Sequence, residues 1–213
     1  IRHDRSAHKV GTDGVLLGAW TNVGGANQIL DVGCGSGLIS IMIAQRADLG
    51  AFVTGIGKDR DSILDAEYNR RHCPWSENLC FREMDVANFR PEVEPDLILC
   101  NPPFFQNSLK APKDRRNVAR HSIWPWEKWV NIFDALSCNQ TKWSLILPIN
   151  EKKAFEAAVK THDWRISRIQ EVGPSATKSA NRVLIELSRQ WVQPICLPRL
   201  NLYCTNCSQE RSE

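Results

Sequence analysis

The sequence QILDVGCGSGLISIMIAQR occupies residues 28–46 and decides the fold. A short apolar run leads into glycines at positions 33, 35 and 37, and an apolar helical stretch follows. Glycine lets the backbone turn sharply and approach a ligand closely, and the N-terminus of a helix favours anionic groups. The stretch therefore predicts a strand, a ligand-binding loop built by Gly33, Gly35 and Gly37, and a helix. A tight turn without a ligand is the alternative.

The glycine spacing narrows the choice of ligand. The glycines follow the pattern G-x-G-x-G, and Leu38 stands where the dinucleotide-binding fingerprint G-x-G-x-x-G has its last glycine. This difference disfavours nicotinamide and flavin cofactors. Asp31 lies two residues before the first glycine and suits a cation, such as the amino group of S-adenosylmethionine.

Two further acidic residues bear on the same ligand. An acid after the second strand usually holds the ribose hydroxyls, but Gly57 occupies that position here and Asp59 follows two residues later. Asp59 is a candidate for the ribose, or else the N-cap of the next helix. Lys58 and Arg60 would suit a ribose phosphate, which is the one point in favour of NADP. Asp85 follows the third strand and is placed either to accept from an adenine amino group or to cap a turn.

Strands and helices alternate along residues 1–189, which predicts an α/β fold with a parallel, doubly wound sheet. Predicted strands cover 28–32, 51–56, 79–84, 97–100, 143–147, 165–172 and 182–187. Predicted helices cover 38–46, 61–71, 124–138 and 151–162 and lie on both faces of the sheet. Another helix falls within residues 8–20, with Thr12 or Asp13 as its N-cap, and Asn150 is expected to cap the last helix. We therefore expect one domain over 1–189 and a carboxy-terminal extension over 190–213.

A second motif, Asn101-Pro102-Pro103-Phe104, follows the apolar run 97–100. Prolines cannot extend a central strand, so Asn101 is expected just past its carboxyl edge, where open α/β sheets bind ligands. The Asn101 side-chain oxygen and the Pro102 carbonyl can accept both N–H bonds of an aromatic amine and point its lone pair at an electrophilic methyl group. Phe104 can stack on the ring. An ordinary strand-ending turn is the alternative, but the position after the fourth strand favours catalysis.

The composition excludes several classes of protein. With 42% hydrophobic and 24% charged residues among 213, the chain is typical of a globular protein. No apolar run approaches the roughly 20 residues of a membrane span, and the first residues do not resemble a signal peptide. Eight scattered cysteines indicate a reducing, cytoplasmic setting. Cys204 and Cys207 have the spacing of zinc ligands but lack a matching second pair, so no metal is expected.

The two motifs together resemble the S-adenosylmethionine-dependent methyltransferases that act on the N6 of adenine. His3-Asp4-Arg5 and the stretch KVGTDGVLLGAW, residues 9–20, more closely resemble the start of the bacterial tRNA1(Val) adenine-N6 methyltransferases. That family modifies the adenosine beside the anticodon. Residues 119–121 and 181–184 also fit it, and the likeness extends to about Arg189.

This resemblance implies a Rossmann-like sheet of seven mostly parallel strands, usually with a final antiparallel strand inserted. It implies S-adenosylmethionine as the cofactor, bound by Asp31, Gly33, Gly35, Gly37 and Asp85. Asp59 would substitute for the acid that normally holds the ribose, and Thr12 and Asp13 would line the cofactor from the amino-terminal segment 1–24. It also implies that the target adenine is held by Asn101, Pro102, Pro103 and Phe104. The sequence departs from the family at Gly57, where an acid normally meets the ribose.

A basic segment after the second motif is a candidate RNA-binding surface. A target base must come from a strand that is held by its backbone, and basic side chains supply such contacts. We expect RNA contacts from Arg115, Arg116, Arg120, His121 and Arg182. Trp124 and Trp126, which follow closely, are assigned to the core instead.

The expected partner is tRNA that presents a single-stranded anticodon-loop adenosine to a monomeric enzyme. The mild net charge of +3 permits an anionic partner without requiring one. Two alternatives stay open. One is a methyltransferase for another planar amine, either guanine N2 of ribosomal RNA or a protein glutamine. The other, prompted by Gly57, is an RNA-binding protein that has lost catalysis.

Overall fold

Strands and helices alternate through residues 1–7, 9–102 and 124–203, which are the residues that the structure, a computed structural model, describes. The strands are β1 (Gln28–Val32), β2 (Phe52–Gly57), β3 (Leu79–Glu83), β4 (Leu97–Cys100), β5 (Lys142–Pro148), β6 (Arg165–Gly173), β7 (Arg182–Ser188), β8 (Ile195–Cys196) and β9 (Leu200–Asn201). The α-helices are α1 (Thr12–Trp20), α2 (Leu38–Arg46), α3 (Arg60–Arg71), α4 (Trp126–Ala135) and α5 (Lys152–Val159). Short 3₁₀ turns cover Ser76–Asn78, Val86–Asn88 and Ile149–Glu151.

One sheet has the strand order β3-β2-β1-β4-β5-β7-β6-β8, and β9 also pairs with β6. Strands β1 to β5 are parallel. The order reverses at β1, because β2 lies on one side of it and β4 on the other. Ligands of open α/β sheets bind beyond the carboxyl ends of the strands at such a reversal. The ends of β1 and β4, which carry the two sequence motifs, therefore meet at this point.

The last long strand, β7, lies between β5 and β6 and is antiparallel to both. The inserted antiparallel strand and the mostly parallel α/β sheet are thus confirmed. The structure adds β8 and β9, which pair in parallel with β6 and extend the sheet beyond the seven expected strands. Each has only two residues, so neither produces the alternation by which strands are recognised in a sequence.

The core consists of two apolar layers, one on each face of the sheet. Successive residues of a strand point to opposite faces, and β4 shows this directly. Leu97 and Leu99 pack into the layer under α1, α2 and α3, whereas Ile98 and Cys100 pack into the layer under α4 and α5. A strand buried on both faces gives the continuous apolar run seen in the sequence.

Two helix caps differ from prediction. The N-cap of α1 is Gly11, one residue before the predicted Thr12 or Asp13. Asn150 lies within a 3₁₀ turn, and the N-cap of α5 is Glu151. The chain turns immediately after Pro148 ends β5, so the first helical turn is not yet an α-helical one. In the described ranges, no helix has both the length and the apolarity to cross a membrane.

Candidate active site

The glycine loop joins β1 to α2 through left-handed backbone. The φ angles are 76° at Gly33, 54° at Gly35 and 81° at Gly37, and residues that have a Cβ rarely adopt such positive values. A Cβ at Gly33 or Gly35 would meet no atom within 4 Å, whereas a Cβ at Gly37 would lie 2.7 Å from the Phe81 ring. The first two glycines therefore leave open space above the loop, and the third permits close packing of α2 on the sheet.

Asp31 is a fully buried acid at the base of this loop. Its Oδ2 accepts a hydrogen bond from the Ser40 hydroxyl at 2.6 Å, while its buried Oδ1 has no partner among the described residues. Burial raises the pKa of Asp31 to about 6, although the hydrogen bonds from Ser40 oppose this shift. Burial raises the pKa values of the Cys34 and Cys100 thiols, and the nearby charge of Asp31 raises them further. A buried carboxylate oxygen without a partner among the described residues fits an ammonium group.

Asn101 leaves the sheet directly beside the glycine loop. Cys100 at the end of β4 is the register partner of Val32 at the end of β1, so Asn101 and Gly33 emerge at the same edge. Asn101 is half-buried and Pro102 is buried. The structure therefore brings the two motifs together at one edge of the sheet. Pro103 and Phe104 lie outside the described residues.

The carboxyl ends of β2 and β3 carry the remaining acids. Asp59 is the N-cap of α3 and accepts from the Ser62 backbone N–H at 3.2 Å and from the Ser62 hydroxyl. Asp85 accepts from the Ala87 N–H at 3.0 Å and forms a 2.8 Å ion pair with the Lys58 ammonium. Partial burial opposes a fall in the pKa of Asp85, but the bonds from Lys58 and Ala87 outweigh it and lower that pKa. Both carboxylates therefore take the capping roles that the sequence left open.

Comparison with known proteins now gives the family. A family model for the methyltransferase small domain matches residues 10–121. A tRNA1(Val) (adenine(37)-N6)-methyltransferase of Phocaeicola vulgatus is 37% identical over 186 residues, which are 87% of this chain and 79% of that protein. The protein of the same description from Aliivibrio fischeri is 38% identical over 180 residues, 84% of this chain and 76% of that one. The chain belongs to this methyltransferase family.

Solved structures show the same fold at lower identity. A predicted O-methyltransferase of Agrobacterium tumefaciens superposes with a TM-score of 0.67 at 18% identity, covering 92% of this chain and 89% of that one. Magnesium protoporphyrin IX methyltransferase of Synechocystis, solved with bound S-adenosylmethionine, gives a TM-score of 0.54 at 18% identity, with coverage of 82% and 76%. The class I methyltransferase architecture expected from the sequence is confirmed.

In this methyltransferase, the start of α1 lies at the same edge of the sheet. The Asp13 carboxylate forms a 2.8 Å ion pair with Arg182, the first residue of β7. Arg182 is the register partner of Pro148, the last residue of β5, which places the pair at the active edge. Thr12 is exposed beside it. Asp13 was predicted to contact the cofactor and Arg182 to contact RNA, but here they contact each other. Their roles towards the cofactor and RNA stay predictions.

Sequence reasoning missed two buried residues of α3 that hold the amino-terminal segment. Asp65, only 1% exposed, accepts from the backbone N–H groups of Arg5 and Ser6 at 2.9 and 3.0 Å. The Asn69 side chain bonds both the N–H and the carbonyl of Arg2, and it also donates to the Ser36 carbonyl at 2.9 Å. Asn69 thus ties the segment to the glycine loop. Polar residues four apart on a helix look solvent-facing in sequence, and only the tertiary fold covers them.

The aromatic residues after the basic segment differ in their surroundings. Trp126 is partly buried, packs edge-on against Phe155 at 5.0 Å and donates to Glu151 at 3.0 Å, so it lies against the core rather than inside it. Trp124 packs against the core but is half-exposed, with Lys58 and Lys128 ammonium groups 4.7 and 3.9 Å from its ring centroid.

Several predicted residues lie outside the described ranges, namely Arg115, Arg116, Arg120, His121, Cys204 and Cys207. In the part of the chain that the structure does describe, no group of three or more His, Cys, Asp or Glu side chains is placed to hold a metal ion. The six described cysteines are free thiols.

Proposed function

We propose that this chain transfers the methyl group of S-adenosylmethionine to the exocyclic N6 of an adenosine in tRNA, beside the anticodon of tRNA-Val. Family membership supports the reaction and the class of substrate. The observation that carries the proposal is the adjacency of Asn101 and Pro102 to the glycine loop, because it puts an amine-holding motif next to the open space of a cofactor cradle.

The cofactor site is built from the glycine loop and the strand ends around it. Gly33 and Gly35 leave room for the ligand, and the free Oδ1 of Asp31 receives its ammonium group. Each carboxylate oxygen can accept more than one hydrogen bond. Asp85 therefore still has a lone pair that accepts a hydrogen bond from the adenine amino group. When bound, S-adenosylmethionine supplies an electrophilic methyl group on a positively charged sulfur.

The residues at the end of β4 align the target amine. The lone pair of an exocyclic aromatic amine is delocalised into its ring, so the nitrogen is a poor nucleophile. The Asn101 side-chain oxygen and the Pro102 carbonyl would accept its two N–H bonds, which draws the lone pair back onto the nitrogen and orients it towards the methyl carbon. Phe104 would stack on the base, and Pro103 is the remaining residue of the motif. The methylated nitrogen would carry a positive charge, and it would lose one proton to water by way of the Asn101 oxygen and the Pro102 carbonyl, so a strong base is not required.

Basic side chains supply the contacts with tRNA in this proposal. Arg182, together with Arg115, Arg116, Arg120 and His121, holds the backbone of a single-stranded anticodon loop, so that the adenosine can enter the site. We place the enzyme in the cytoplasm as a monomer that acts on tRNA. Light scattering of the free protein and of its tRNA complex tests the monomer.

Replacing Asn101 tests the reaction. Asn101→Ala should lower methyl transfer to tRNA about 100-fold or more, the usual cost of losing one oriented hydrogen-bonding group at a reacting centre. Binding of S-adenosylhomocysteine, measured by calorimetry, should stay within about twofold, because Asn101 is not part of the cradle. Asn139→Ala, at an exposed position in the loop before β5, is the matched control.

Mass spectrometry of the tRNA nucleosides identifies the product. N6-methyladenosine is expected with the native chain and the control. Methylated guanosine, or no modified nucleoside with cofactor binding intact, would contradict the proposal and favour one of the alternatives. Undiminished transfer by Asn101→Ala would refute the role given to that residue.

A further inference from the structure

The end of β2 lacks the acid that usually holds a ribose. Gly57 occupies that position, and the next acidic residue in the chain, Asp59, is directed to the N-terminus of α3 as its cap. Steric conflict does not explain the glycine. A Cβ built on Gly57 would make only ordinary contacts, 3.6 Å to the Ile63 side chain and 3.8 Å to the Cys34 sulfur. The surroundings of Gly57 therefore accommodate a Cβ.

The next residue, Lys58, brings a cation to this strand end. Its ammonium nitrogen lies 2.8 Å from Asp85 Oδ2 and 4.7 Å from the centroid of the Trp124 ring. Gly57 and Glu83 are register partners at the ends of β2 and β3, and the Met84 N–H bonds the Gly57 carbonyl at 2.8 Å. Asp85 follows β3, so the Lys58 side chain spans the gap between the two strand ends.

The Lys58 ammonium retains the capacity to donate to a ligand. An ammonium group has three N–H donors, and one is directed to Asp85. The side chain is 48% exposed, so its remaining two donors are not committed to burial in the core. The contacts with Asp85 and Trp124 fix the position of the nitrogen, which lowers the entropy that a flexible lysine would lose on binding a ligand.

We propose that Lys58 holds the ribose of the cofactor by donating a hydrogen bond to a hydroxyl oxygen, in the place where Gly57 leaves no acid to accept from the ribose. This inference rests on the proposed function, because it assumes that S-adenosylmethionine occupies the cradle. It reverses the charge at the ribose. A carboxylate accepts from the hydroxyl groups and repels a phosphate there, whereas an ammonium donates to oxygen and attracts a phosphate.

Calorimetry with S-adenosylhomocysteine tests the lysine. Lys58→Met keeps most of the side-chain volume and removes the charge, so it should weaken binding about 10- to 100-fold, the range for a hydrogen bond from a charged donor. Lys58→Arg, which restores a cationic donor, should recover most of the affinity. Lys128→Met is the matched control, because Lys128 also lies over Trp124, at 3.9 Å, but forms no ion pair with Asp85 within the described residues. It should change the affinity less than about threefold.

Competition with adenosine and adenosine 3′-monophosphate tests the reversed charge. The native chain should bind the phosphate more tightly than adenosine, and Lys58→Met and Gly57→Glu should each abolish or invert this preference. Equal binding of S-adenosylhomocysteine by Lys58→Met and Lys128→Met would overturn the inference, as would a native preference for adenosine. Failure of the native chain to bind S-adenosylhomocysteine at all would instead refute the proposed function, and the inference with it.

Discussion

Acidification should weaken cofactor binding through Asp31. The buried Asp31 carboxyl has a pKa of about 6 in the free protein, and only its ionised form pairs with the cofactor ammonium. An α-amino group has a pKa of about 7.7–8.0, so the cofactor itself stays cationic from pH 5 to 7. Below the pKa of Asp31, binding must expel a proton, and the dissociation constant should rise towards tenfold per pH unit. Relative to its plateau, affinity should be about twofold lower at pH 6 and about 11-fold lower at pH 5.

Calorimetry with S-adenosylhomocysteine between pH 5 and 7.5 measures this effect. Buffers of different ionisation enthalpy should report release of close to one proton on binding at pH 5 and almost none from Asp31 at pH 7.5. Asp31→Asn should bind weakly and lose the pH dependence, while Asp163→Asn, at an exposed site after α5, should retain it. A dissociation constant that is flat from pH 5 to 7 in the native chain would refute the pairing of Asp31 with the cofactor.

The same carboxyl should affect the stability of the free protein with the opposite sign. Burial raises the pKa of Asp31 from 3.8 to about 6, so the folded state binds this proton more tightly than the unfolded state. The contribution of Asp31 to stability is then greatest below about pH 3.8 and falls as the pH rises through 6. At pH 7 the ionised group costs about 3 kcal/mol. Asp31→Asn should accordingly raise the melting temperature of the cofactor-free protein at pH 7 while weakening cofactor binding.

Three further substitutions probe the surroundings of the site. Gly37→Ala places a Cβ 2.7 Å from Phe81 at a φ of 81°. It should therefore lower the free energy of unfolding by about 1–3 kcal/mol and weaken cofactor binding. An unchanged melting temperature would contradict this. Asn69→Ala removes the hydrogen bonds to Arg2 and Ser36, so hydrogen exchange of the backbone amides in residues 1–7 should accelerate. If these amides stay equally protected, other contacts hold the segment. Arg182→Ala should weaken tRNA binding and reduce its salt slope by about 1, and an unaltered slope would exclude a phosphate contact.

Strands and turns were predicted correctly where the local sequence pattern alone determines the structure. The apolar runs of β1 and β4 are buried on both faces, and a breaker ends each of them, so both strands were predicted with their observed bounds. Asn101 was also expected just past the carboxyl edge of its strand, and because parallel strands share that edge, it lies beside the glycine loop. The glycine loop required no knowledge of distant contacts, since its left-handed backbone is a local property of Gly33, Gly35 and Gly37.

Prediction was poorer where a distant residue decides the role of a side chain. Thr12 and Asp13 have the composition of an N-cap, but Asp13 pairs with Arg182, a residue 169 positions away, and Gly11 caps the helix. Asp59 suited both a ribose contact and a helix cap, and only the direction of its carboxylate towards Ser62 distinguishes them. Asp65 gave no signal, because the segment that covers it lies about 60 residues earlier in the chain.

The position of β7 has a consequence for synthesis of the protein on the ribosome. Both neighbours of β7, β5 and β6, precede it in the chain and pair with it over its whole length. Until Arg182–Ser188 has left the exit tunnel, β5 and β6 each have an unpaired edge, the kind of surface on which strands of other molecules can add. A nascent chain arrested before Arg182 should therefore be degraded by a protease that spares one arrested well beyond Ser188. The interior of this sheet is complete only when β7 is in place, so the fold can close only after Arg182–Ser188 has been translated.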